Sequence, residues 1–534
     1  MSQTSAEYAI QSSAVRRLSK LVEESTRATG ESVKYFIEPT PGVLDKAKNK
    51  RHHIIFGRRG SGKSSLLHKV AADLTISRTP IAYVDLEQFK GHSYPDVLIS
   101  VLISTLTEFK KWLDTAATNP ASKTSFWKKL FGSTPTKGAF PKKETAALSA
   151  QFEAMIDELT KVLHQADERK TKENTKADDS TETKLGSKVD SGVVMPVKAS
   201  VEGSLSTRAG QSYEHQTEYT SHKIEVLHRN ILRYKELFAR LSALADGPAF
   251  LLMDDVYHLR LLDQAQVLDY FFRIAKGANL WLKVGTIRHR SRWYVRGDPS
   301  IGMKLGDDAD EIDLDATLEK YDLTKNFLFR ILVQLAKDAG VKLDDILVDG
   351  GKDRLVLTSG GVARDFLSIF RRSIDVVLER IIRNELVRGP KIGVEDVNLA
   401  AGDQGQFKEE DFSRDTSEED QVRLRKVLDN IIEFCVSKIN ANCFLVEKDI
   451  SGDVTQEINE LVDLKFLHRA KSRVTVRDRS GRLYDAYMLD ISRYTGERTR
   501  RGLELVKFWG KGSDDALRKT NLVYLEKEQA GIVG

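Results

Sequence analysis

The chain has 534 residues, too many for one compact core, and a prior of roughly 150 residues per domain divides it into two to four units. Lys and Arg total 83 against 78 Asp and Glu, and the resulting net charge of +5 excludes a chain that binds polyanions over its whole surface, so any basic patch must be local. The two cysteines, Cys435 and Cys443, sit among apolar residues, which excludes a disulfide framework and predicts reduced, buried thiols in a cytoplasmic protein. The opening MSQTSAEYAI has no secretory pattern, and the longest apolar stretch, VLISVLIS at 97–104, is far shorter than the roughly 18 residues a membrane span needs, so no membrane span is expected.

Residues 1–50 are expected to be an N-terminal leader packed on the core: an amphipathic helix at 13–25 and then FIEPTPGVLDKAK, whose prolines interrupt regular structure. From 51 to 320 the pattern alternates between strand and helix. HHIIF, a glycine loop, the helix SSLLHKVAADL and the strand IAYVDLEQF predict an α/β core, a parallel sheet with helices on both faces. A helical, partly disordered insert is expected at about 116–222. Within it KTSFWKKLFGSTPTKG is basic and aromatic, LSAQFEAMIDELTKVLHQ has helical spacing, ADERKTKENTKADDSTETKLGSK is too polar to order, and GVVMPVKASVEGSLS has a strand-like hairpin composition.

The helix pattern returns at 222–246 and leads into the strand AFLLMDD, followed by a helix and the strand LWLKVGTI. Residues 321–401 have long amphipathic runs and predict a helical lid. A polar, acidic stretch at 402–420 predicts a linker. Residues 421–510 then give a helix, a shorter helical piece near LVEKDI, a second helix and two strands around Ser480-Gly481, the order of a winged-helix domain, with a tail at 511–534.

The chemistry is densest at Gly57-Arg58-Arg59-Gly60-Ser61-Gly62-Lys63-Ser64, which satisfies G-x-x-x-x-G-K-[ST] between a strand and a helix. Glycines let successive N–H groups turn toward a phosphate chain, and the helix behind adds its positive end. Lys63 supplies a cation to the β and γ phosphates and Ser64 a hydroxyl to Mg²⁺. The nucleotide-contacting set runs from Gly57 to Ser65. A second element, AFLLMDDVY, ends an apolar strand on Asp254, placed for the Mg²⁺ shell, and Asp255, placed to orient or activate water. Thr286 ends the strand LWLKVGT with Arg288 just after it, and SGGVARD puts Arg364 in the first turn of a helix.

Together GRRGSGKS, AFLLMDD, the polar residue after LWLKVG and the GGVARD turn resemble AAA+ and STAND P-loop ATPases, in particular the origin-recognition-like branch; IGVEDVNLAA at 392–401 is similar to the close of that branch's lid. The resemblance implies ATP and Mg²⁺ as cofactors, Lys63 and Ser64 on phosphate and metal, and Asp254 on Mg²⁺ water. It implies Thr286 or Arg288 as a first sensor and Arg364 as a second. It implies a nucleotide-dependent switch acting in DNA transactions or prokaryotic defence signalling; in a homo-oligomer, which the sequence leaves open, Arg290, Arg292, Arg296 or Arg330, or none of these, would complete a neighbour's site. Where that family has Glu after the magnesium Asp, this chain has Asp255, which bears on turnover; the alternative is a DNA- or protein-binding adaptor with a structural nucleotide. Motif order argues against other P-loop classes: SGG at 359–361 and TKAD at 175–178 lie on the wrong side of the AFLLMDD strand for an ABC signature or a GTPase base-reading motif.

Between Lys465 and Lys507 there are 12 Lys or Arg against 5 Asp or Glu, with Arg469, Lys471, Arg473, Arg477, Arg479 and Arg482 around the wing, a candidate DNA surface. The helix DVTQEINELVDL that would enter a groove carries Asp453, Glu457, Glu460 and Asp463, which are expected to be exposed and to repel a nucleic-acid backbone. A protein partner or effector is the other occupant of these surfaces.

Overall fold

The structure, a computed structural model, describes residues 8–28, 32–76, 78–118, 140–182, 199–448, 450, 453–495, 503–510 and 513–525. The leader carries α1 (Ser13–Ser25) and α2 (Val43–Lys48). Ser12 caps α1 by accepting from the Val15 N–H. The sheet core then runs β1 (His53–Phe56), α3 (Lys63–Ile76), β2 (Ile81–Asp85), α4 (Asp96–Thr118), α5 (Lys142–Glu182), α6 (Ala199–Leu244), β3 (Ala249–Asp254), α7 (Leu261–Ala275), β4 (Leu280–Thr286), the small hairpin β5 (Tyr294–Val295) and β6 (Ile301–Gly302), and β7 (Asp310–Asp313).

Five strands form one parallel sheet in the order β2-β3-β4-β1-β7. Asp85 stands opposite Asp254 and Phe56 opposite Thr286, so the carboxyl ends of these strands lie along one edge. The side chains sort by the two-residue period of a strand. Ile54, Phe56, Leu251 and Met253 join the core under α4, α6 and α7, whereas Ile55, Phe250 and Leu252 join the core under α2 and α3. Covering both faces leaves all six residues of β3 buried, which is why AFLLMD has a continuous apolar run instead of alternation.

At the opposite end of the sheet three basic groups are enclosed. The Lys283 ammonium donates to the carbonyls of Asn49 and Arg51 at 2.9 and 2.7 Å and lies 2.9 Å from His53 Nδ1, while His52 Nδ1 accepts from the Leu282 N–H at 3.1 Å. Burial, reinforced by Lys283, pushes His52 down to about 4 and His53 down to about 3, and burial pushes Lys283 down to about 7. The unfolded chain therefore binds more protons than the native state as pH falls below the ordinary histidine value of 6.5. The histidines' share of stability, complete above that value, is lost toward the folded values, whereas the share of Lys283 is lost at higher pH, between about 10.5 and 7. Urea midpoints are expected to drop between about pH 6.5 and 4, with a slope of about two protons, and His53→Gln should remove about one of them. A flat midpoint across that window would contradict the buried, neutral assignment.

Beyond the sheet come α8 (Tyr321–Ala339), α9 (Leu343–Ile346), α10 (Asp349–Ser359), α11 (Ala363–Ile382), α12 (Val394–Asp415), α13 (Glu418–Glu433), β8 (Cys443–Glu447), α14 (Asp453–Asp463), β9 (Leu467–Val474), β10 (Tyr484–Leu489) and β11 (Val523–Leu525). The order β11-β8-β10-β9 makes a second sheet. One apolar core unites the leader, these helices and this sheet: Val15, Leu18 and Val22 of α1 lie in the same cluster as Leu328, Leu332, Phe366, Phe370, Leu445 and Met488. Within the leader α1 thus packs on α8 and α11 while α2 packs on the parallel sheet, and Arg17 donates to the Ala339 carbonyl at the end of α8.

Several sequence expectations change here. The stretch 402–420 is not a linker: α12 runs through it to Asp415, and α13 begins at Glu418. Its inward face carries Lys408 and Phe412, one buried cation in place of a leucine stripe, which hid the helix from an apolar count. LVEKDI contributes to β8, not to a helix, because both faces of Cys443–Val446 are buried. The tail supplies β11, which pairs in parallel with β8, so the two strands around Ser480-Gly481 belong to a four-stranded sheet. In the insert, α5 extends to Glu182 and α6 begins at Ala199, so the polar stretch is helical as far as 182 and the second half of the strand-like segment is helix. KTSFWKKLFGSTPTKG lies outside the described residues. Both cysteines are free and buried, as expected. Among the described residues no helix is long and apolar enough to cross a membrane.

Candidate nucleotide site

The loop between β1 and α3 opens on a cavity at the carboxyl edge of the parallel sheet. Arg59, Gly60, Ser61, Gly62, Lys63, Ser64 and Ser65 form its floor. Gly60 has φ +90°, and a Cβ there would lie 2.7 Å from the Arg364 Cβ, so only glycine permits this approach. The Arg364 N–H donates to the Gly60 carbonyl at 3.2 Å, and its Nε donates to the Thr26 carbonyl at 3.1 Å. The first turn of α11 is thereby held against both the glycine loop and the leader.

Lys63 is buried and its ammonium donates to the Gly57 carbonyl at 3.0 Å, with Asp255 Oδ1 at 3.9 Å. Burial pushes the ammonium down from the lysine range, against Asp255 and Asp254, which favour its charge. Asp255, at the end of β3, takes a left-handed backbone with φ +54° and faces the cavity. Burial, reinforced by Asp254, pushes its carboxyl up to about 7 against the pull of Lys63. Asp254 lies behind the wall: its Oδ2 accepts from the Tyr83 hydroxyl at 2.8 Å and its Oδ1 from the Asp255 N–H at 2.9 Å. The structure therefore brings Lys63, Ser64, Asp255 and Arg364 onto one cavity and places Asp254 directly beneath it.

Other predicted residues lie elsewhere. Thr286 is buried next to the loop, with the Gly57 N–H donating to its carbonyl and its hydroxyl bonded to that of Ser291. Arg288 turns away. Its guanidinium is paired with Glu311 and Asp313 and lies 4.0 Å from the centroid of the Phe56 ring, so it occupies the edge of the sheet and not the cavity. Arg58, counted in the phosphate loop by its motif position, is a buried strut: its N–H donates to Asp315 Oδ1 at 2.9 Å, and its Nη2 donates to the Ala316 and Gly360 carbonyls at 2.9 and 3.0 Å.

Three sets of cavity residues escape a motif reading. The leader contributes Thr26, Tyr35, Phe36, Ile37 and Pro39, which with Phe327 and Ile331 of α8 and Leu367 of α11 make an apolar wall opposite the polar floor. Tyr257 and His258, just past the strand end, and Glu87, just past β2, complete the rim. The prolines flanking FIEPTP were the one available signal for the first set. Nothing in DVYH marks the second as polar machinery, because one His and one Tyr after a strand are ordinary turn residues.

The C-terminal unit touches this site at three points. Asp411 of α12 lies 3.7 Å from Arg59, Lys465 Nζ is 3.1 Å from Asp365 Oδ1, and Asp463 of α14 accepts from the His289 N–H at 3.0 Å. Behind Asp365 a buried network continues: Lys408 and His468 Nε2 each approach Asp490 Oδ2 to 2.7 Å. Gly360, with φ +55°, makes room for it, since a Cβ there would meet the His468 ring at 2.0 Å. Glu457, Glu460 and Asp463 of α14 are not exposed as expected, because the two glutamates are paired with Arg423 of α13 and Asp463 with His289; the Asp453 side chain lies outside the described ones.

The serine hydroxyls and backbone N–H groups of a glycine loop, a buried lysine, and carboxylates on the adjoining strand form a donor set suited to a nucleoside triphosphate with Mg²⁺. The Ser61 Oγ, buried in the loop without a hydrogen-bond partner, is one polar group such a phosphate chain would satisfy. No family model matches the chain, and no curated protein matches it. Among solved structures it is similar to the Aeropyrum pernix ORC1 protein in complex with DNA, at a TM-score of 0.32 and 13% identity, over 86% of this chain and 91% of that one.

Proposed function

We propose that the chain is an ATP-binding, slowly hydrolysing switch of the AAA+/STAND kind, in the origin-recognition-like branch, working in the cytoplasm. The observation that carries the reading is the convergence on one cavity of Lys63, Ser64, Asp255 and Arg364 with an apolar wall large enough for a base. In this reading the wall of Tyr35, Phe36, Ile37, Phe327 and Ile331 takes the adenine, and the Gly57–Ser65 loop takes the phosphates. Lys63 would exchange the Gly57 carbonyl for phosphate oxygens, and Ser64, with Asp254 through a water, would hold Mg²⁺, whose charge would draw electrons from the phosphates. Arg364 senses the triphosphate from the helical lid, α8 to α11, and Thr286 acts as the first sensor through its loop. Arg288, paired with Glu311 and Asp313, would have to leave those partners to serve.

The lid and the winged-helix domain, α13 to β10 with its added β11, share one core, so that domain's contacts with Asp365 and His289, together with the contact of α12 with Arg59, couple it to the occupant of the cavity. The partner is DNA or a protein effector met through the wing. Arg473 and Arg477 are exposed there, although Arg477 also pairs with Asp515 at 3.0 Å and Arg482 with Glu447 at 3.7 Å. The helix α14 is engaged by Arg423 and by the loop at His289, which leaves the wing as the DNA-facing candidate.

A second reading, an adaptor with a structural nucleotide, is favoured by Asp255, whose side chain is one methylene shorter than glutamate and whose carboxylate is engaged by the Lys63 ammonium at 3.9 Å. ATP turnover with and without duplex DNA, for the wild type and Asp255→Ala, separates the two. Stimulated wild-type turnover lost by at least about tenfold in the variant supports the switch, and background turnover in both supports the adaptor. Reversing Arg477 and Arg479 to Glu should weaken DNA binding and flatten its salt dependence by about two phosphate contacts; unchanged affinity would remove the wing as the contact. Mass measurement with and without ATP tests assembly into a homo-oligomer.

A further inference from the structure

We propose that His258, backed by Glu87, accepts the proton of the water that attacks the γ-phosphate, a role that rests on the ATPase reading above. The two residues leave neighbouring strands of the sheet at its carboxyl edge, Glu87 past β2 and His258 past β3, and both line the nucleotide cavity beside Lys63 and Ser64. The Glu87 Oε1 lies 3.8 Å from His258 Nε2, and the acceptor atoms of Glu87, Asp255 and His258 all fall within 4.8 Å of one another. His258 is screened from bulk water: its side chain is 6% exposed, against 55% for Glu87.

The position expected to hold the base is taken by a short side chain with another engagement. Asp255 is one methylene shorter than glutamate, and its carboxylate faces the Lys63 ammonium at 3.9 Å. The imidazole reaches the same rim from three residues further on and has its own carboxylate to stabilise the cation that forms. In the step, the water oxygen bonds to the γ-phosphorus as the bond from that phosphorus to the β,γ-bridging oxygen breaks. The water proton passes to the imidazole, ADP leaves with the bond electrons on its terminal oxygen, and the imidazolium held by Glu87 returns the proton to solvent. Asp255 then orients the water and holds Lys63, without having to take the proton.

The test uses the full chain with Mg²⁺ and ATP. His258→Gln is expected to lower kcat by about 100-fold and Glu87→Gln by about tenfold, within the range for general-base removal. The ATP Kd of each should stay within about twofold, because the contact acts in the transition state. Imidazole added to His258→Ala should restore part of the turnover and leave the wild type unaffected, a result that a merely structural histidine would not give. As a readout independent of turnover, the His258 ring resonances, assigned by their loss in His258→Gln, should shift when a non-hydrolysable ATP analogue binds. Turnover that Lys63→Ala abolishes but His258→Gln leaves intact overturns this assignment alone. A wild type with no Lys63-dependent turnover overturns it together with the ATPase reading, and ring resonances unmoved by the analogue remove His258 from the site.

Discussion

Asp490→Ala is expected to destabilise the chain by about 3–5 kcal/mol, the cost of leaving a buried charge without its partner. Asp490 is fully buried and accepts from Lys408 and His468 at 2.7 Å each, and from the Ser492 backbone N–H at 3.1 Å. Burial alone would raise its carboxyl, but the Lys408 ammonium and the His468 hydrogen bond outweigh that and hold it well below the usual carboxylate range. Burial likewise keeps His468 below the ordinary histidine value, so the network balances two lysines, Lys408 and Lys465, against two carboxylates, Asp490 and Asp365. Removing Asp490 strands Lys408 in a core that offers it one further acceptor, the Lys465 carbonyl at 3.5 Å. Replacing Lys408 by Met in the same chain should recover most of the loss, because the penalty is the unpaired cation and not the missing pair. Denaturant unfolding of the single and double variants checks this; a double variant no more stable than Asp490→Ala would place the cost elsewhere.

Arg58→Ala comes second, with an expected loss of about 2–4 kcal/mol. Its guanidinium bridges the glycine loop to Asp315, Ala316 and Gly360, three groups on the segments that enter α8 and α11. Truncation leaves two carbonyls and a carboxylate facing a void, and it removes the strut that fixes Gly360 against His468. The planar fork matters as much as the charge, so Arg58→Lys should recover less than half of the loss. Thermal unfolding measures the stability. Limited proteolysis of the segments around 315 and 360 should report the released strut, and unchanged cleavage there would contradict it.

How much of this was legible depends on where each residue's partners lie in the chain. The glycine loop and AFLLMDD were readable because strand, loop and helix are contiguous, and the parallel sheet follows from their alternation. Arg364 could be singled out because glycines immediately precede it and a helix follows. Arg58 could not, since a motif letter "x" conceals a buried side chain whose acceptors are more than 250 residues away. The pairing of Arg288 is hidden for the same reason: Glu311 and Asp313 hold it from β7, a strand too short and too acidic to stand out. The acids of α14 suggested a repulsive surface until their partners, Arg423 and His289, were located on other elements. The helix α12 was hidden because one buried lysine and one phenylalanine do the packing that a stripe of leucines usually does. The leader's share in the cavity had only its prolines to announce it.

The central claim is that the cavity between the glycine loop, the leader and α11 holds a nucleotide. Calorimetric titration of ATP with Mg²⁺ into the full chain tests it most directly, comparing the wild type with Lys63→Ala. The expected result is one site per chain with a Kd at or below about the micromolar range, weakened by at least about 100-fold in the variant through loss of a buried, charge-assisted contact to phosphate. Absence of binding to the wild type, or equal affinity in both proteins, would contradict it.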